Sequence, residues 1–288
     1  MKISEAFDLY KNNYMFIKRM CRRAIETQDS VKKSLIRCLG NIEVTNLDMN
    51  KVKKWVDSIS FYETRDGRIM KRSINTIRND LFRLKMVLKY LKLFDIDCLN
   101  PDLIPMPKRE DVIMPFLSPD EVNRMIECAF SLRNKLVISL LYSSGIRLAE
   151  MISLNRDSIN NRRFSVVGKG KKMRLCFIDC RTEKLLTEYL NARKDSSPAL
   201  IVSNRYKDRM TPTNVQLLIK NSAKRAGINK KVTPHTLRHS FATNFLANNG
   251  NIRYLATILG HSSVNTTMIY AHIVDNELEK QYNLFHSY

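Results

Sequence analysis

The stretch Thr233–Tyr270, TPHTLRHSFATNFLANNGNIRYLATILGHSSVNTTMIY, organises the reading of this 288-residue chain. It holds His235, His239 and His261, three of the five histidines; His272 and His286 follow it, and the first 234 residues contain none. Thr233 followed by Pro234 has the form of a helix N-cap with proline at the first helical position. Helical spacing then puts His235 and Arg238 on one face, three residues apart. A second apolar helix follows, with Leu255, Ile258 and Leu259 inward and Gly260 as its stop. His261 comes directly after that stop. Asn265 can cap a last short helix, over 265–270, that carries Tyr270.

An imidazole, a guanidinium and a phenol at successive helix ends suit phosphoryl transfer. Guanidinium grips phosphate oxygens with a planar fork, imidazole takes a proton near neutral pH, and an activated phenol can act as nucleophile. Spacing alone leaves each with an ordinary structural role, so the reading needs the rest of a phosphate site elsewhere. Two further stretches supply it. Tyr142–Glu150, YSSGIRLAE, follows an apolar helix that Gly145 breaks, and Arg147 opens the next helix. Val166–Lys172, VVGKGKK, reads as the tight turn of a hairpin with Lys169 at its tip between two glycines.

SGIRLAE, GKG, HTLRH, LGHSS and a tyrosine nine residues after His261 together resemble the tyrosine recombinase (phage integrase) family, most of all its short, two-domain Xer-type members. The likeness runs from about Phe116 to the C-terminus and is specific because five separated elements agree in order. The resemblance implies a site-specific recombinase in which Tyr270 attacks a DNA phosphate, forms a 3′-phosphotyrosyl link and releases a 5′-hydroxyl. Arg147 and Arg238 would hold the non-bridging oxygens and Lys169 would protonate the leaving 5′-oxygen. His235 would accept the tyrosine proton or orient the phosphate, and His261 would donate to a phosphate oxygen. Glu150 would support Arg147 or a neighbouring histidine without touching DNA. His239 and His272 are expected to be structural or supporting. Tyr254 and Tyr282 are rival phenols at the wrong distance from His261, and Lys171 and Lys172 are rivals of Lys169. No metal and no cofactor are implied, since the ester energy is kept in the phosphotyrosyl bond. The implied partners are double-stranded DNA and three further copies in a homotetramer on two DNA sites, or a second recombinase in some of those positions. The implied role is resolution of chromosome or plasmid dimers in the cytoplasm.

Other function classes stand beside this one. Integration of a mobile element uses the same chemistry, and so does a type IB topoisomerase, which works as a monomer. A DNA-binding protein without strand exchange is a third reading. A metal-dependent nuclease needs clustered carboxylates, and the acidic residues here are scattered.

Bulk composition agrees with a polyanion partner. There are 49 Lys and Arg against 28 Asp and Glu, a net charge of +21. The excess is spread over both halves: 23 basic and 14 acidic residues in 1–110, 26 and 14 in 111–288. Two basic halves suggest a ligand gripped from two sides. No run approaches the 18 apolar residues of a membrane span, and the N-terminus reads as neither signal nor transit peptide. Six scattered cysteines without a C-x-x-C pair suggest a reduced, intracellular protein with buried thiols and no zinc.

The expected fold is mainly α with a small β-sheet, in two domains: an N-terminal helical bundle that binds core DNA over 1–108, a linker over 109–117, and a catalytic domain with a C-terminal tail helix over 118–288. Phe7, Tyr10, Tyr14, Ile17 and Cys21 form one helical stripe. Val31–Leu39 and Met49–Ser60 are expected as short helices, with Val52, Trp55 and Val56 inward. Glu63–Arg68 reads as a polar turn, and Ser73 caps a long helix with Ile74, Ile77, Leu81, Leu84, Leu88 and Leu91 inward. Lys71, Arg72, Arg78, Arg83 and Lys85 are candidate phosphate contacts. Four of the eight prolines lie between Pro101 and Pro115, which reads as an extended interdomain hinge. Ser118-Pro119-Asp120-Glu121 then starts the second domain with a capping box. Its helices are expected at 120–130, 133–143, 147–153, 181–194, 212–226, 234–248 and 251–259, its strands at 163–167, 173–178 and, shorter, 200–203. After Tyr270, Leu278, Tyr282 and Phe285 make one apolar stripe, expected to dock on a neighbouring protomer.

Overall fold

The computed structural model describes residues 1–64, 66–110, 114–168, 172–203 and 208–260. Lys169, His261, Tyr270, the helix expected at 265–270, His272 and the tail stripe lie outside the described residues. The chain divides into two compact units, Met1–Val112 and Ile113–Tyr288.

The first unit is four helices around one core: α1 (Ile3–Leu9), α2 (Arg22–Leu39), α3 (Met49–Ile59) and α4 (Ile74–Lys92). Trp55, Leu35, Leu84, Leu88 and Leu91 are among its fully buried side chains, and each contributes roughly 1.5–3 kcal/mol on leaving water. Asp48 and Ser73 cap α3 and α4 through the Lys51 and Thr76 amides, which satisfies helix-end donors. Val56, expected inward on α3, is half-buried, and Ile59 takes the core position.

Three features depart from the sequence reading. The expected N-terminal stripe breaks, because Tyr10–Met15 forms a π-helix after α1. A wider turn shifts the following residues around the axis, so Met15 is buried while Phe16 and Ile17 are 78% and 76% exposed. Helix α2 begins nine residues before the expected Val31, since its first turns are charged and carry no apolar period to mark them. The polar turn at 63–68 joins an antiparallel hairpin, β1 (Phe61–Glu63) and β2 (Ile69–Lys71), exposed on both faces.

The segment expected as a hinge is partly fixed to the first unit. Pro101 and Ile104 are buried. Arg78 Nη1 donates to the Pro107 carbonyl at 2.6 Å and Lys85 Nζ to the Ile104 carbonyl at 3.0 Å. The Asn75 side chain pairs both ways with the Glu110 backbone. Arg72 is held by Asp80 at 3.0 Å, and Arg83 Nη1 reaches the Ala24 carbonyl at 3.4 Å. Four of the five candidate phosphate contacts therefore hold the protein itself.

The second unit is built on α6 (Leu132–Ser144), whose residues Leu136 to Leu141 are all buried. A helix apolar on every side must be enclosed, and α5 (Pro119–Glu127), α8 (Cys180–Asn191), α9 (Pro212–Arg225) and α10 (Pro234–Ala247) enclose it. Two short helices complete it, α7 (Leu148–Ser153) after α6 and α11 (Ile252–Leu259) after α10. Strands β3 (Arg163–Val167) and β4 (Met173–Phe177) pair antiparallel, Val167 opposite Met173. Their inward residues are Phe164, Val166, Arg174 and Cys176. The expected third strand at 200–203 is absent among the described residues; only isolated bridges, Asn155 with Ala199 and Val202 with Arg209, occur there. Buried thiols were expected throughout, yet only Cys98 and Cys176 are buried; Cys21, Cys128 and Cys180 are exposed.

Candidate active site

Helix α10 begins as its sequence demands. Thr233 accepts from the Thr236 amide and Pro234 occupies the first turn. This start fixes the direction of His235 and Arg238, one turn apart. Arg238 is buried: Nη1 donates to the Gly145 carbonyl at 2.6 Å and Nη2 to the Leu259 carbonyl at 2.8 Å. One guanidinium thus joins the loop before Arg147 to the last residue of α11, two residues before His261.

Gly145 makes that junction possible. It ends α6 in the left-handed conformation, φ +60°, which an L side chain enters only at a cost. A Cβ there would also lie 2.5 Å from Phe241 Cδ1. Gly260 ends α11 in the same way, φ +65°, and a Cβ there would lie 2.7 Å from Arg174 Cδ. Both glycines stop their helices where expected, at positions where a neighbour occupies the space of a side chain.

Arg147 is the N-cap of α7 and Glu150 closes a capping box beneath it. Glu150 Oε2 accepts from the Arg147 amide at 2.7 Å, and Oε1 from Arg147 Nη1 at 3.0 Å. Among the described residues the other side-chain donors of Arg147 make no hydrogen bond, and the side chain is 35% exposed. It is half-solvated and held at one end, as an anion-gripping arginine must be.

Glu150 is itself buried between two arginines. Arg174, on β4, donates to Oε1 at 2.8 Å and to Oε2 at 2.6 Å, and its Nε donates to the Ile258 carbonyl at 2.8 Å. Burial pushes the Glu150 carboxyl up, but the Arg174 and Arg147 hydrogen bonds more than offset it, and its pKa is lowered. Burial likewise works against the Arg174 charge, and Glu150 reverses the effect. Arg174 went unnoticed in the sequence; the available signal was a cation on the inward phase of an alternating strand.

His235 keeps an exposed edge. Desolvation of the rest of its ring, then the fields of Arg238 and Arg147, lower its pKa from the ordinary 6.5. The imidazole is therefore neutral at neutral pH and able to accept a proton. His239 is buried, with Nε2 3.2 Å from the Met114 carbonyl. Ser240 accepts from the Leu117 amide at 2.8 Å, and Asn244 donates to the Leu117 carbonyl at 3.2 Å and to the Tyr142 hydroxyl at 2.9 Å. These three residues of α10 fasten the 114–117 segment that leads into α5.

The structure thus brings together Arg147, Glu150, His235 and Arg238, and adds Arg174. Lys169, His261 and Tyr270 lie outside the described residues; Gly168 and Gly260, next to the first two, both border the Arg174 side chain.

Residues 115–277 match the model of the phage integrase family. The chain belongs to that family: it is a site-specific tyrosine recombinase, an enzyme that breaks and rejoins DNA strands. Among curated proteins it is 32% identical to the tyrosine recombinase XerD of Oceanobacillus iheyensis, over 90% of this chain and 92% of that protein. It is 34% identical to the tyrosine recombinase XerA of Pyrococcus horikoshii, over 73% and 75%. Among solved structures, the XerA recombinase crystal structure matches over 99% of both chains at 27% identity, with a TM-score of 0.54. The Tn1549 transposon integrase in complex with a circular-intermediate DNA shares the fold, with a TM-score of 0.79 at 16% identity over 98% of this chain and 99% of that one.

Proposed function

We propose that the chain is an Xer-type recombinase that resolves chromosome or plasmid dimers, with Tyr270 as its nucleophile. The Tyr270 oxygen attacks a backbone phosphorus of duplex DNA, a 3′-phosphotyrosyl ester forms, and the bond to the 5′-oxygen breaks. Lys169 delivers the proton that makes the leaving group a 5′-hydroxyl, and His235, neutral at working pH, takes the phenol proton. Arg147 and Arg238 stabilise the charge that develops on the non-bridging oxygens, with His261 donating alongside them. Rejoining is the reverse attack by a 5′-hydroxyl, so no nucleotide is consumed.

The observation that carries this reading is the Arg238 bridge, which ties the Gly145 loop of Arg147 to the Leu259 end that precedes His261. Motif elements far apart in sequence are supported as one site by that contact. The net charge of +21 supports duplex DNA as partner, gripped by both units. Four protomers on two sites, acting on cytoplasmic DNA, complete the proposal. Tyr270→Phe tests it: on a nicked duplex carrying a site selected from a random library, this variant binds as the wild type does and forms no covalent adduct. An adduct in the variant removes Tyr270 from the role, and a sedimenting complex smaller than a tetramer on paired sites removes the stoichiometry.

A further inference from the structure

Glu150 has an unusual number of cationic neighbours for one carboxylate. Its two oxygens accept four hydrogen bonds, two from Arg147 and two from the fork of Arg174. Its side chain is 8% exposed and that of Arg174 7%. With four hydrogen bonds to its two oxygens, its charge is answered by these two arginines.

Paired with Arg147 alone, Glu150 would cancel the charge that Arg147 has to offer a phosphate. The pair would be neutral, and the buried carboxylate would draw the guanidinium inward. With Arg174 also present, the three groups carry one net positive charge. Arg174 is buried and Arg147 half-exposed, so the surplus faces outward through Arg147. A wish for stability does not account for this arrangement, since apolar residues of similar volume often serve a buried ion-pair site as well or better.

Arg174 is also fixed in space from the far side. Its Nε donates to the Ile258 carbonyl near the end of α11, where unpaired carbonyls and the helix dipole favour a cation. Its Cδ lies under Gly260 and its Nη1 beside Gly168. One side chain therefore touches the base of the β3–β4 hairpin, the turn before His261 and the support of Arg147.

We propose that Arg174 is a positioning residue for recombination: its charge offsets Glu150, which leaves Arg147 cationic toward the phosphate, and its fork sets the direction of Glu150. This rests on the reading of Arg147 as a phosphate clamp. Arg174 does not touch DNA, so it acts on the rate of cleavage rather than on site affinity.

The test uses the full chain and the nicked duplex at saturating protein, with melting followed by circular dichroism. Arg174→Met is expected to form covalent complex roughly 10- to 100-fold more slowly, less than the loss from removing a donor that touches the reacting oxygens, with an unchanged dissociation constant. The double variant Glu150→Gln/Arg174→Met is expected to recover rate over Arg174→Met, because the uncompensated carboxylate is gone. A role in packing alone predicts no such recovery. The proposal is overturned if Arg174→Met cleaves at the wild-type rate or if the double variant is no faster than the single one. Should Arg174→Met not fold, Arg174→Lys decides: retention of the charge is expected to keep most of the cleavage, and a folded Arg174→Lys as slow as Arg147→Ala overturns the charge argument. Tyr270→Phe run alongside separates the cases, since an adduct there fails the assignment of the nucleophile and leaves the charge argument to the Arg174 variants.

Discussion

In the first unit, Arg78, Lys85 and Arg83 donate to the backbone carbonyls of Pro107, Ile104 and Ala24 from partly exposed positions. In the second, Arg238 and Arg174 donate to the carbonyls of Gly145, Leu259 and Ile258 from buried ones. The bonds are of one kind, arginine or lysine to main chain, but the surroundings differ. Among the described residues the first unit buries no charged side chain, while the second buries Glu150, Arg174 and Arg238 around the site and, away from it, the Arg193 side chain, which pairs with Asp195. Burying a charge costs several kcal/mol unless it is paired and hydrogen-bonded. The second unit meets that cost around the site, where a fixed charge in a dry setting acts strongly on a reacting phosphate. The first unit uses its cations to fasten a chain segment and has no such need.

The largest effect should come from Arg238→Ala. In the proposed mechanism it removes a direct phosphate donor, so covalent-complex formation should fall by roughly 10²–10³. It also leaves the Gly145 and Leu259 carbonyls without that donor, at about 1–3 kcal/mol of stability each, readable in urea unfolding. If Arg78→Ala in the first unit slowed the cleavage of bound substrate as much, the contrast between the units would fail.

Next come the glycines. Gly145→Ala combines a strained backbone with the Phe241 clash and should cost about 2–4 kcal/mol. Gly40, at the end of α2 in the first unit, has φ +76° but open space where a Cβ would go. Gly40→Ala should cost only the backbone part, about 1–3 kcal/mol, because φ +76° with ψ 172° is a conformation essentially confined to glycine. Equal losses in thermal melts would show that packing at the site junction is not special.

Within the first unit, Lys71 is exposed and its side chain makes no hydrogen bond among the described residues, whereas Arg78 is engaged with Pro107. Lys71→Ala should lower the slope of log K against log salt by about 1. Arg78→Ala should leave that slope unchanged and destabilise by about 1 kcal/mol. Fluorescence anisotropy titrations at several salt concentrations decide between them.

The smallest effect concerns pH. Because the His235 pKa lies below 6.5 in the folded chain, cleavage should be flat from pH 8 down to about 6.5 and fall only under more acidic conditions. The sign for stability follows. The unfolded chain takes up this proton more readily, so the contribution is complete above about pH 6.5 and is lost as pH falls toward the depressed folded value. A cleavage rate that already halves between pH 8 and 7 would contradict a neutral, proton-accepting His235.

The sequence alone determined the helices whose ends carry chemical marks: Thr233-Pro234, Ser118-Pro119-Asp120-Glu121, Gly145 and Gly260 stop or start helices where local hydrogen bonding and backbone sterics require. It also marked Arg147, Glu150, His235 and Arg238, because their motifs are local and helical spacing is fixed. What is not local stayed hidden. The π-helix at Tyr10–Met15 turned Phe16 and Ile17 outward, although the apolar spacing of that segment reads as a continuous helix. The β1–β2 hairpin has both faces exposed and therefore no alternating pattern to announce it. The 101–110 segment has the prolines of a hinge, yet Arg78, Lys85 and Asn75 bind it to the first unit. Arg174 shows the reason most directly: its partners, Glu150 and Ile258, lie 24 and 84 residues away. Only the packing of β4 against α7 and the end of α11 decides that a strand arginine meets a carboxylate there, since burial is a property of the surrounding chain and not of the residue.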